Sequence, residues 1–285
     1  MKNRNNIGYL FVLPYLIHLL VFILFPVAFS FVLIFHKWNI ISPMQWIGLT
    51  NFEKIFQDKL FFYSLINTIT FLLVHIPLQI TVALFLAEFL NQKIKFRSFF
   101  RAAYFLPVVV SGVVITMLWD SLYAQDTGIL NKLLTSIGVG RVPWLTRPEM
   151  AMISIAIMAT WKNVGLYIVL FLVGLQTVPK YLYEAAEMEG ATHWQCFWHI
   201  TLPMINPTMF MVVILSTIGG FSLFIEPYIM TGGGPLDSTL SAILYIYQQG
   251  FYFYHMGYAA TLGFVFAAIV LLVLLIQRRF VEREV

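Results

Sequence analysis

The sequence predicts an all-α polytopic membrane protein with six transmembrane helices, and three observations carry that expectation. First, 60% of the 285 residues are apolar and only 11% are charged, where a soluble domain runs about 45–50% and about 25%. A water-soluble fold of this size still needs a polar exterior. The mean hydropathy of +0.83 therefore excludes an ordinary cytosolic enzyme, a disordered regulator and a secreted disulfide scaffold. Second, six segments reach the roughly 20 mostly apolar residues that cross the hydrocarbon. Third, Lys and Arg cluster beside the ends of those segments, as cytoplasmic loops require.

The segments run roughly over 8–35, 64–90, 102–123, 150–177, 205–230 and 257–277. The first follows Lys2 and Arg4, as a signal peptide would, but it far outruns a signal h-region of about 7–15 residues and reads as a retained helix. Pro14, Pro26, Pro77 and Pro107 fall within or at the ends of helices. Neighbouring helices of a bundle can satisfy the carbonyls that proline frees. No tandem repeat or soluble domain interrupts the chain, so one transmembrane domain over 1–285 is expected.

Orientation follows from the cations. With both termini on one face, that face holds Lys2, Arg4, Lys93, Lys95, Arg97, Arg101, Lys180, Arg278, Arg279 and Arg283. The other holds Lys37, Lys54, Lys59, Lys132, Arg141 and Arg147. The richer face is expected to be cytoplasmic, with both termini inside. The net charge of +4 fits basic loops beside a bilayer and does not argue for nucleic acid. Cys196 has no second cysteine to pair with, and no His/Cys spacing suits a metal.

The connection over 178–204 is long for a cytoplasmic loop and is not disordered in character. Pro179 ends the fourth helix, residues 181–189 are good helix formers, and Gly190 permits a sharp turn before a second short helix reaches Pro203. A helix–glycine–helix elbow on the inner face is expected. It could simply join two spans, rooted in its own bundle by Tyr181, Tyr183, Trp194, Phe197 and Trp198. Alternatively, small Ala185 and Ala186 leave a low-relief surface suited to another protein's groove.

Here the chain resembles the integral membrane subunits of binding-protein-dependent ABC importers. Their hallmark is E-A-A, three residues, Gly, about nine residues and Ile-x-Leu-Pro. Glu184-Ala185-Ala186, Gly190-Ala191 and Ile200-Thr201-Leu202-Pro203 match it, with Glu189 where Asp usually precedes the glycine. Thr231-Gly232-Gly233-Gly234-Pro235 with Ser238-Thr239 is similar to a stretch of the carbohydrate branch. Weaker echoes are Gly48-Leu49 with Asn51-Phe52, Asn67-Thr68, Arg97 to Arg101 before Leu106-Pro107, Gly128 to Asn131, and Trp144-Leu145. The likeness covers essentially the whole chain, most closely the first permease type of maltose- or glycerol-phosphate-permease-like importers.

The resemblance implies a type I ABC importer permease fold, with a cytoplasmic coupling helix between helices 4 and 5. It implies a second, distinct permease subunit, two copies of an ATPase subunit and an extracytoplasmic binding protein. Glu184, Ala185, Ala186, Glu189, Gly190 and Ala191 would then meet the ATPase. The sequence contains no Gly-Lys dipeptide and so no phosphate loop. This chain is expected to be no enzyme and to carry no cofactor, with ATP and magnesium held by the partner.

Sugars need hydrogen-bonding partners and apolar or aromatic surface near mid-membrane. Asn163 lies at the middle of helix 4 beside Lys162, with Ala159 and Leu166 at helical spacing. Ser216, Gly219, Gly220 and Leu223 form a small-residue face near the middle of helix 5. These residues are the candidate substrate path, and close helix packing is the competing reading of the small ones. An intramembrane lysine is usually functional. Lys162 could meet a substrate carboxylate or phosphate, pair with Glu226 or Asp120, or snorkel outward. The expected cargo is a sugar or oligosaccharide, with a sugar phosphate, an anionic saccharide or a polyamine as alternatives. A lone ion-coupled secondary transporter would need more intramembrane acids than Glu226 and Asp120 supply.

Overall fold

The computed structural model describes residues 4–92 and 95–281. Lys2, Lys93, Arg283 and the side chain of Arg4, counted above among the cations of one face, lie outside the described residues. The only strands among the described residues are the short His36–Lys37 and Gln45–Trp46, and the rest of the regular structure is helical. Five helical segments are long and apolar enough to cross a membrane: Phe11–Leu33, Lys59–Asn91, Pro148–Thr177, Asn206–Met230 and Met256–Arg279. A sixth arises if the bent pair Arg97–Val109 and Gly112–Tyr123 counts as one span.

That third span is not the continuous helix expected over 102–123. Its halves meet at 99°. Pro107 cannot donate to the preceding turn, and the Val108–Val110 run is stiff at χ1. Val110 and Ser111 leave the helical region, and Ser111 then opens the second half, its carbonyl accepting from the Ile115 N–H at 3.1 Å. The fifth span breaks as well, between Phe221 and Ile225. A continuous helix would need Pro227 to donate to the Leu223 carbonyl, and proline has no N–H. The Ser241 hydroxyl donates to that carbonyl instead, at 2.6 Å.

The described residues form two compact units, one within 4–61 and 245–268 and the other within 62–92, 95–244 and 269–281. In the first, Asn51 donates to the carbonyls of Ile34 (2.8 Å) and His36 (3.2 Å), fixing the helix Thr50–Gln57 to the hairpin. Asp58 accepts from the hydroxyls of Tyr245 (2.6 Å) and Tyr258 (2.5 Å) and from the Phe61 N–H. Burial and the Asp58 carboxylate push the Tyr245 phenol well above its usual range, so it stays a donor. The first span presents a long run of exposed apolar side chains, Phe11 through Val32, a surface that suits lipid.

In the second unit the fourth span is the axle. Phe171, Ile168 and Leu172 pack with Ala83, Ala87, Leu90, Ile205 and Val212, while Ile155 and Met158 pack with Phe71, Ile115 and Leu223. Close approach depends on glycine, as in lipid generally. A Cβ at Gly165 would collide with the Tyr104 backbone, and one at Gly174 would meet the Thr208 hydroxyl at 2.5 Å. Loops are clamped by buried amides. Asn67 donates to the carbonyls of Asp237 and Leu240, and Thr68 accepts from the Ala242 N–H, tying the glycine-rich turn to the second span. Asn131 donates to the carbonyls of Gln125 and Val142 and accepts from Val142 and the Trp144 indole.

Candidate functional site

Two places in the second unit bear on function: the elbow after the fourth span and a cavity beside the break in the fifth. The elbow helix Lys180–Met188 stops at a glycine because the chain must turn left-handed there, and Gly190 has φ +81°. The Gly190 N–H donates to the Glu187 carbonyl at 3.0 Å and the Ala191 N–H to the Ala186 carbonyl at 2.9 Å. This is the paired Schellman closure, which satisfies the last carbonyls of the helix. The next helix begins one residue later with a capping box. The Thr192 side chain accepts from the Gln195 N–H, and the Gln195 side chain accepts from the Thr192 N–H at 2.7 Å. Two locked ends leave a single-residue hinge between the helices, so the elbow is stiff.

One face of the elbow is rooted and the other is bare. Tyr183 packs on the apolar core, and its hydroxyl bonds the Thr201 hydroxyl at 2.8 Å. Burial raises the Tyr183 phenol above its ordinary value, keeping it protonated. Phe197 is half-buried, with Trp194 stacked on it and Trp198 edge-on to both, whereas Tyr181, Trp194 and Trp198 are themselves exposed. Glu184, Ala185, Glu189 and Gly190 are exposed. Ala186, Glu189, Gly190 and Ala191 line a cleft of about 360 Å³ between the two short helices. The second helix is π-helical over Phe197–Thr201, just before Pro203, which cannot donate to the His199 carbonyl.

The cavity measures about 230 Å³. Lys162, Asn163, Ser216, Gly219 and Leu223 line it, with Ala159, as do Phe71, His75, Tyr167, Ser222, Ile225 and Glu226. Two residues grouped with them from the sequence do not. Leu166 faces outward at 39% exposure, because the lining face of the fourth span runs 159–163–167 and passes it by. Gly220 is packing, for a Cβ there would collide with Leu72. His75 bonds the Thr160 hydroxyl at 2.8 Å and also lines the cavity. Gln79, buried at 0% exposure, donates to Ser216 at 2.9 Å and fixes that hydroxyl from behind.

The Lys162 ammonium donates to Glu226 Oε1 at 2.9 Å, with side-chain exposures of 15% and 10%. Of the two acids within reach by sequence, the partner is Glu226 and not Asp120. The ammonium also lies against the start of the third span's second half, just past the bend, since a Cβ at Gly112 would sit 2.9 Å from Nζ. Both helix breaks therefore converge on Lys162. Irregular backbone at membrane depth is tolerated where it is buried in protein or lines a cavity, and both conditions hold at the fifth-span break. The walls offer an amide, hydroxyls and two aromatic faces, a set that suits a polyhydroxylated ligand. Among the described residues no His, Cys, Asp and Glu cluster could hold a metal ion. Sequence periodicity could not find Phe71 or Tyr167, since aromatic residues in an apolar span carry no signal of which face they occupy.

Comparison with known proteins agrees with this architecture. Residues 61–284 match the family model of the binding-protein-dependent transport system inner membrane component. The arabinooligosaccharides transport system permease protein AraP of Bacillus subtilis is 35% identical over 278 residues, 96% of this chain and 88% of that protein. The lactose transport system permease protein LacF of Rhizobium radiobacter is 37% identical over 276 residues, 95% of this chain and 92% of that protein. Among solved structures, a chain of a bacterial alginate ABC transporter in complex with an alginate pentasaccharide-bound periplasmic protein superposes with a TM-score of 0.85. It is 26% identical and covers 99% of this chain and 97% of its own. With most of its length matched by the family model and relatives 35% and 37% identical over nearly all of it, the chain belongs to the inner membrane components of binding-protein-dependent ABC transport systems.

Proposed function

We propose that this chain is the transmembrane subunit of an ATP-driven importer and forms half of the path for a sugar or oligosaccharide. The observation that carries the cargo class is the cavity at the broken fifth span, where Asn163, Ser216, Ser222, Tyr167 and Phe71 offer hydrogen bonds and aromatic surface together. The permeases named above for arabinooligosaccharides and lactose, and the alginate transporter, support the same class. An extracytoplasmic binding protein delivers the cargo, and a second, distinct permease completes the path. Two ATPase copies bind ATP and magnesium and close on the elbow at Glu184–Ala191, moving the bundle between inward- and outward-open states. The membrane is the bacterial or archaeal cytoplasmic membrane, with both termini inside, as the distribution of Lys and Arg supports.

The test is reconstitution. The two permeases, the ATPase and the binding protein are placed in proteoliposomes, and ATP-dependent uptake is measured across a panel of radiolabelled oligosaccharides. Uptake of at least one saccharide is expected, with loss on deleting the elbow contact by Glu184→Arg. Import of polyamines or phosphate esters with no saccharide uptake would overturn the cargo class. Uptake without any ATPase subunit would overturn the mechanism.

A further inference from the structure

The cavity's charge balance bears on which saccharides it takes, an inference that rests on the reading of the cavity as the substrate path. Among the described residues, Lys162 and Glu226 are the only Lys, Arg, Asp or Glu lining it, and they neutralise one another at 2.9 Å. The remaining titratable groups in the wall are His75, engaged with the Thr160 hydroxyl, and the Tyr167 phenol. From the sequence alone, Lys162 stood open to a substrate carboxylate or phosphate. In the fold its charge is taken: an anionic sugar would have to displace Glu226, stranding a carboxylate that is itself 10% exposed. Removing one partner of a buried pair is strongly unfavourable because it leaves an uncompensated charge.

We infer that the Lys162–Glu226 pair is a specificity-determining device that holds the cavity electrically neutral and so selects uncharged saccharides. The two residues play this part as a unit. Lys162 bears on the start of the third span's second half and Glu226 on the first turn after the fifth-span break. Neutralising either one leaves the other as a fixed charge facing the cargo, and the selectivity should invert in a direction set by which charge survives. A packing role for the pair would predict loss of binding with no change in charge preference.

The experiment uses the assembled permease–ATPase complex in nanodiscs without binding protein, and equilibrium binding of three radiolabelled probes: maltotriose, trigalacturonate and triglucosamine. Glu226→Gln, which frees the ammonium, should raise trigalacturonate binding at least tenfold over wild type. Lys162→Met, which frees the carboxylate, should do the same for triglucosamine. The double variant Lys162→Met with Glu226→Gln should bind neither charged probe better than wild type. Each single variant tests the inference alone if the other fails to assemble, and the double keeps the charge balance should both singles fail. Unchanged charge preference in an assembled single variant overturns the inference, as does charged-probe binding by the double. So does wild-type binding of trigalacturonate that Lys162→Met abolishes, which would make Lys162 an anion contact. None of these results touches the uptake assay, so failure of the cargo reading and failure of the charge rule are told apart.

Discussion

Replacing Gly190 tests the stiffness of the elbow at a position on the surface proposed to meet the ATPase, so variants of differing backbone tolerance are compared. The residue sits at φ +81° with nothing among the described residues within 4 Å of an added Cβ, so within this chain a side chain there meets conformational strain and no clash. Holding an L-residue in the left-handed region costs about 1–2 kcal/mol, and a β-branched one is the least tolerant. What that strain opposes is the turn's own closure. The two hydrogen bonds from Gly190 and Ala191 are worth about 0.5–1.5 kcal/mol each net. Strain and closure are thus of similar size. Gly190→Val should shift the closed turn toward open forms by roughly 5- to 30-fold, leaving the rest of the bundle untouched. In proteoliposomes with the full complex, ATP-dependent uptake should fall about tenfold while membrane insertion and ATPase binding to nucleotide stay normal. Gly190→Asn, a residue that visits the left-handed region readily, should retain most of the uptake. Wild-type uptake by Gly190→Val, or equal damage from Asn and Val, would refute the reasoning that uptake depends on the left-handed turn that keeps the elbow stiff.

Other expectations follow from the same contacts. Gly190→Asp keeps a tolerable backbone but adds a fourth carboxylate to a segment already carrying Glu184, Glu187 and Glu189, so coupling should fall well below that of Gly190→Asn in the same uptake assay. Gly165→Leu drives a side chain into the Tyr104 backbone and should lower stability by about 1–3 kcal/mol, read as a reduced midpoint in detergent thermal unfolding. Tyr183→Phe removes the hydroxyl bond to Thr201 and should cost about 1 kcal/mol, seen as faster hydrogen exchange over 180–204 without loss of the bundle. Burial and then Lys54 and Lys37 lower the affinity of His255 for a proton. Its neutral form contributes stability that is complete above the ordinary histidine value, about pH 6.5, and is lost as pH falls below it. Amide exchange over 249–257 should therefore quicken on acidification from pH 7.5 to 5, and His255→Gln should flatten that response.

Several sequence motifs changed meaning once the chain was folded. Asn51, Asn67 and Asn131 stand in the short patterns singled out above as weaker echoes, and each proves to be an amide that ties a loop to a helix through two carbonyls. The capping box at Thr192 and Gln195 was legible, since a Thr three residues before a Gln ahead of an apolar run is its ordinary signature. The break in the fifth span was also written in the chain, as Pro227 four residues after Leu223. Hydropathy hides it, because a broken span and a straight one have the same composition.

The sequence by itself determined the membrane class, the apolar segments and the elbow with its turning glycine. Each depends on composition or on neighbours within a few residues, which is where local physics acts. Only the tertiary structure decided that Lys162 meets Glu226 across 64 positions, and that Gly219 opens on a cavity while Gly220 fills against Leu72. It likewise decided that Tyr167, not Leu166, completes the polar wall. Those outcomes turn on a rotation of about 100° per residue around a helix axis, and on which neighbour lies at that angle, information that a single helix does not contain.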